Sequence, residues 1–167
     1  MIILGIDPGL ATVGYGVIKV SGTNFQTLAY GTVSTKAGLP LEERLLQIHT
    51  GICELINRFS PDEMAIEELF FNTNITTGIT VAEARGVILL AARQNNLPYG
   101  EYTPLQVKQS VVGYGRAEKK QVITMVTMML GLEKPPKPDD AADALALAVC
   151  HAHCSQSKIK DYFNQKI

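Results

Sequence analysis

The chain has 167 residues, 46% of them hydrophobic and 19% charged, with a formal net charge of −1. Those values describe one globular domain with a real core and exclude a disordered or fibrous chain. No apolar stretch is long and uninterrupted enough to span a bilayer, and the first residues lack the basic flank of an export signal. Three cysteines, Cys53, Cys150 and Cys154, show no CxxC spacing and suit reduced thiols in a cytoplasmic protein.

In chain order, Ile2, Ile3, Leu4 and Ile6 form an apolar run that Pro8-Gly9 closes just after Asp7. This predicts a buried strand over 1–7 with a carboxylate at its end, where α/β sheets present their chemistry. Strands over about 12–20 and 25–35 follow so closely that they must pair as antiparallel hairpins. Apolar residues at helical spacing predict a helix over Leu41–Phe59. Met64-Ala65-Ile66 is a short strand running into Glu67 and Glu68, and Phe70–Gly78 is a polar loop. A helix over Thr80–Asn95 is apolar nearly all round, which suits one face on the sheet and the other on a second subunit, or deep burial in a monomer. A strand over Leu97–Tyr102 leads to Thr103-Pro104, a helix start with proline at the first position. That helix ends near Gly113, another runs from about Ala117 to Leu130, and the last spans about Asp140 to Cys154 beyond a KPPKP loop. The order gives an α/β domain over residues 1–155. Its mixed five-stranded sheet has three antiparallel strands, then parallel ones, with helices on its faces. Residues 156–167 form a polar tail that frays.

Charge is uneven along this order. Residues 108–137 carry six basic and two acidic side chains, whereas 138–154 carry three acids and neither Lys nor Arg. A phosphate-binding protein that also holds a cation needs such a pairing, although an ordinary solvated surface has it too.

Four acids stand out by context. Asp7 and Glu67 end strands, and Asp140 and Asp143 open the last helix, three apart and so on one face. Simple alternatives exist for each: a strand terminator, a surface acid, a helix cap. Asp143 resists them, because the residues after it read as a buried helix and an unpaired buried charge is very costly. Oxygen-only ligands suit Mg²⁺ or Mn²⁺, and two such ions about 3.5–4 Å apart support phosphoryl hydrolysis. Lys119 and Lys120 lie in the first turn of a helix, against its dipole, which points to a bound phosphate or to plain projection into water. Cys150 and Cys154 share a helical face, but His151 and His153 point elsewhere, so zinc is set aside.

These residues fall in motifs that resemble the RuvC family of bacterial Holliday-junction resolvases. LGIDPG with Gly14-Tyr15-Gly16, AIEELFF, EARGV, QVKQSVVGYGRAEK and DAADALALA occur in the family's order from Ile3 to about His153. The resemblance implies an RNase H-like fold and a homodimeric, Mg²⁺-dependent crossover junction endodeoxyribonuclease of DNA recombination and repair. It implies paired nicks that leave 5′-phosphate and 3′-hydroxyl ends. The family's catalytic, metal-binding acids map onto Asp7, Glu67, Asp140 and Asp143, with two Mg²⁺ per subunit and Mn²⁺ as a substitute. Lys108 and Lys119 match basic positions that the family uses for DNA, and Arg116 and Lys120 are their basic neighbours. Phe70 matches an aromatic that stacks on a base, with Phe71 the core alternative. The branch-migration motor RuvA and RuvB are implied as partners. Two rivals come from other classes. One is a fragment of an actin-like ATPase or sugar kinase, whose fold needs a duplicated domain where this chain shows one copy. The other is an inactive DNA-binding module, against which the presence of all four acids counts.

Overall fold

The computed structural model describes residues 1–69 and 75–156, with the side chains of 75–77 and 156 left aside. Phe70, Phe71 and the tail beyond 156 lie outside the described residues. The elements are β1 (Ile2–Asp7), β2 (Thr12–Ser21), β3 (Asn24–Ser34), α1 (Leu41–Phe59), β4 (Glu63–Glu67), α2 (Ile75–Gln94), β5 (Tyr99–Tyr102), α3 (Pro104–Val112), α4 (Lys119–Met129) and α5 (Asp139–Gln156). They form one sheet in the order β3-β2-β1-β4-β5. β1, β2 and β3 pair antiparallel, and β4 runs parallel to both β1 and β5. The expected mixed sheet is therefore present.

Period-2 alternation along the central strands feeds two cores. Leu4, Ile6, Met64 and Ile66 pack under α1 and α2, with Ile48, Ile52, Ala84 and Ile88. Ile3, Ala65 and Ile18 pack on the other side, under α3, α4 and α5, with Val107, Val126 and Leu145. Ala141, Ala142, Ala144, Leu145, Ala146, Leu147, Ala148 and Val149 are all buried, which makes α5 the central helix of that layer.

β5 begins at Tyr99 rather than Leu97, and the largest departure from expectation is in α2. α2 begins at Ile75, five residues before the predicted start at Thr80. Thr and Gly are poor helix formers, so Ile75-Thr-Thr-Gly reads as loop. Once the following turns exist, however, extending the helix adds one bond per residue fixed. α3 begins as its sequence predicts. The Thr103 side chain accepts from the Gln106 N–H, Gln106 returns the bond to the Thr103 N–H, and Pro104 follows.

Candidate active site

Strand parity decides which acids meet. On β1, Ile3, Gly5 and Asp7 share the α5 side. On β4, Ala65 and Glu67 share it, while Glu68 has the opposite parity and gives its N–H to the Tyr102 carbonyl at 2.9 Å. Ile6 pairs with Ile66, so Asp7 and Glu67 end adjacent parallel strands side by side.

Glycines bring the third element down onto these two. In the β1–β2 ladder Gly5 faces Gly16 and Asp7 faces Gly14. A Cβ on Gly5 would stand 2.0 Å from the Ala144 carbonyl oxygen, and one on Gly14 would stand 2.1 Å from that of Asp140. The backbone of α5 thus rests directly on bare sheet, and its first turns arrive beside the end of β1.

Asp7, Glu67, Asp143, Lys108 and Lys119 line one cleft of about 230 Å³, floored by Val107, Val122, Ala146 and Leu147. Asp140 sits at its rim over Gly14, near enough to raise the proton affinity of Asp7. Arg116 and Lys120 are exposed and lie outside the cleft lining.

Burial pushes the Asp7 carboxyl up to about 8, helped by the charges of Glu67, Asp143 and Asp140 and opposed by Lys119. Glu67 is raised by burial and then by Asp143, again against Lys119. The Lys119 ammonium bonds Asp143 at 2.9 Å and stands 3.5 Å from Asp139, contacts that raise its own proton affinity. The two acids therefore offset the unfavourable placement of Lys119 at the start of α4. That pairing spans 24 residues of sequence and has no local signal.

Among the described residues, no three His, Cys, Asp or Glu side chains close into a ready metal cage. The acids converge on one cleft, with a lysine on one of them. Carboxylates so crowded that one holds its proton to about pH 8 lack positive charge, and hard divalent cations favour an oxygen-only donor set. The donors fit such an ion in their chemistry, and in the structure the Lys119 ammonium supplies positive charge at Asp143. At the far end of α5, His151 bonds the Tyr102 hydroxyl and pairs with Glu63, so it serves the fold rather than a zinc site.

One further side chain touches this region. Arg85 of α2 donates from Nε to the Glu67 carbonyl at 3.2 Å and from Nη2 to Glu101 of β5.

Comparison with known proteins agrees with this fold. The profile of the family described as crossover junction endodeoxyribonuclease RuvC matches residues 3–151. A relative of that name from Alkaliphilus metalliredigens is 58% identical over 153 residues, covering 92% of this chain and 93% of the relative. The solved RuvC of Thermus thermophilus superposes with a TM-score of 0.87 at 38% identity, covering 93% of this chain and 96% of that one. The same protein in complex with a Holliday junction substrate gives 0.89 at 38% identity, covering 93% and 95%. The sheet order is thus that of an RNase H-like resolvase. The family profile matches from residue 3 to 151 and a relative is 58% identical over nearly the whole chain, so the chain belongs to the RuvC family of crossover junction endodeoxyribonucleases.

Proposed function

We propose that the protein resolves four-way DNA junctions by Mg²⁺-dependent hydrolysis of phosphodiesters, with Asp7, Glu67, Asp140 and Asp143 as the metal-binding acids. The observation that carries this is the convergence of Asp7, Glu67 and Asp143 with two lysines in one cleft, under the rim acid Asp140. Mg²⁺, two ions per subunit, would supply activation of the attacking water and stabilisation of the departing 3′-oxygen, with Mn²⁺ as a substitute. In this reading Asp7, which feels the charges of Glu67, Asp143 and Asp140, would be a shared ligand of the metal site. The products are 5′-phosphate and 3′-hydroxyl ends.

Lys108 and Lys119 hold the phosphate nearest the cleft, while Arg116 and Lys120 track the arms outside it, with Phe70 at the crossover. A second copy covers α2: Ala84, Ile88, Ala91 and Ala92 are buried within the subunit, whereas Ile79 and Leu90 are each 52% exposed and a Cβ added at Gly86 would enter open space. Two such subunits present two cleavage centres to a two-fold substrate. No helix among the described residues is long and apolar enough to cross a membrane, and the proposed setting is the bacterial cytoplasm, beside the motor proteins RuvA and RuvB.

The test is binding. In an Asp7→Asn background, which prevents cleavage, the protein is expected to favour a four-way junction over a linear duplex of the same sequence. Adding Lys108→Met or Lys119→Met is expected to weaken binding and to reduce the slope of log affinity against log salt by about 1. Equal affinity for junction and duplex contradicts the substrate. Unchanged salt slopes contradict the phosphate contacts.

A further inference from the structure

The register of β1 and β4 leaves one backbone group without a ladder partner. Even-numbered residues of β4 bond towards β5: Met64 N–H donates to the Pro98 carbonyl and Glu68 N–H to that of Tyr102. Alternation turns the odd-numbered residues, Glu67 among them, towards β1. With Ile6 opposite Ile66, the parallel ladder would give the Glu67 carbonyl its donor from residue 8. Residue 8 is Pro8, which has no N–H. The recorded pairing stops at Ile6 and Ile66.

Arg85 supplies the missing donor. Its Nε reaches the Glu67 carbonyl at 3.2 Å, its side chain is only 16% exposed, and Glu101 holds the other side of the guanidinium. The peptide linking Glu67 to Glu68 is thereby gripped at both ends, its C=O by Arg85 and its N–H by Tyr102. Gripping that peptide fixes the direction of the Glu67 Cα–Cβ bond. The contact Arg85 makes with Glu67 is to its main-chain carbonyl, so it acts on the backbone that carries the carboxylate.

We infer that Arg85 is a positioning residue for the cleavage centre: by replacing the ladder donor that Pro8 lacks, it aims the Glu67 carboxylate at the metal. The inference rests on Glu67 being a metal ligand, as proposed above. Outer-shell partners that orient a metal ligand lower metal affinity about 10–100-fold when lost, and a clamp on the ligand's own peptide orients it in the same sense. The test counts bound Mn²⁺ by electron paramagnetic resonance on the full chain with a four-way junction in calcium-free buffer, beside cleavage kinetics. Arg85→Met is expected to weaken Mn²⁺ binding at least about tenfold. It is expected to lower kcat with the KM for junction unchanged, and to recover cleavage at high Mn²⁺. Arg85→Lys, which keeps one donor, should restore most of the affinity. Folded Arg85→Met with the affinity of the unaltered protein overturns the proposal, as does a loss of junction binding alone. Where Arg85→Met fails to fold, Glu101→Gln decides: it loosens the guanidinium, weaker Mn²⁺ binding supports the clamp, and no change overturns it. Glu67→Gln separates the two layers. Unchanged Mn²⁺ binding in Glu67→Gln removes the ligand assignment itself. A loss there with none in Arg85→Met removes only the clamp.

Discussion

Asp7→Asn is expected to abolish cleavage while leaving junction binding largely intact. The carboxylate is the one acid flanked by the other three, and metal stabilisation of the transition state is worth several kcal/mol, so the rate should fall on the order of 10³-fold or more. The same change should make the metal-free protein more stable at neutral and alkaline pH. In the folded chain Asp7 holds its proton up to about 8, against 3.8 for the ordinary group. The folded state therefore binds more protons across that window. The stability this contributes is fully present below the lower value and is lost as pH rises through the upper one. In chelator, the melting temperature of the unaltered protein should fall between pH 5 and pH 8.5, and Asp7→Asn should flatten most of that fall. Glu67, raised in the same direction, leaves a residual slope. Single-turnover cleavage, gel-shift titration and melting curves read the three effects. Full cleavage by Asp7→Asn contradicts the assignment.

Gly5→Ala and Gly14→Ala are expected to damage the protein in different ways, although each adds one methyl group. At Gly5 the new Cβ meets the Ala144 carbonyl at 2.0 Å and the Ala148 nitrogen at 2.9 Å, both backbone atoms in the middle of α5. The buried centre of the helix cannot yield there, so the cost is overpacking of about 3 kcal/mol or more, a drop on the order of 10 °C in melting temperature. At Gly14 the obstacle is the Asp140 backbone, in the first turn of α5, where the helix can lift. That movement relieves strain and carries Asp140 away from Asp7. A misplacement of about 1 Å can cost on the order of 10²-fold in rate, so Gly14→Ala should lose more activity than stability. Melting curves paired with cleavage rates check both. Gly14→Ala with full activity would show that α5 need not sit so close.

Much of this was legible in the residues because local rules and the fold agree. Apolar runs closed by Pro-Gly or Ser-Gly placed β1 to β3, and the Thr103-Pro104 start placed α3. Strand parity explains why Glu67, rather than Glu68, reaches the cleft. Long-range contacts were less accessible. The Lys119–Asp143 pair joins two helices that no periodicity relates, and it turns a lysine at a helix start from an oddity into the counter-charge of an acid. Arg85 carries a weak signal only in hindsight of register: a proline after a strand-end acid removes a donor, and something else must provide it. The start of α2 was hidden by Thr and Gly, whose poor propensity says little about a helix that is propagated from beyond them.

The most direct measurement of the central claim is a nicking assay on a four-way junction and on a linear duplex of matched sequence, each with Mg²⁺ and with chelator. Paired nicks in opposite strands of the junction, with 5′-phosphate ends, only when Mg²⁺ is present, are the predicted result. Cutting that persists in chelator, or that treats the linear duplex as readily as the junction, would contradict it.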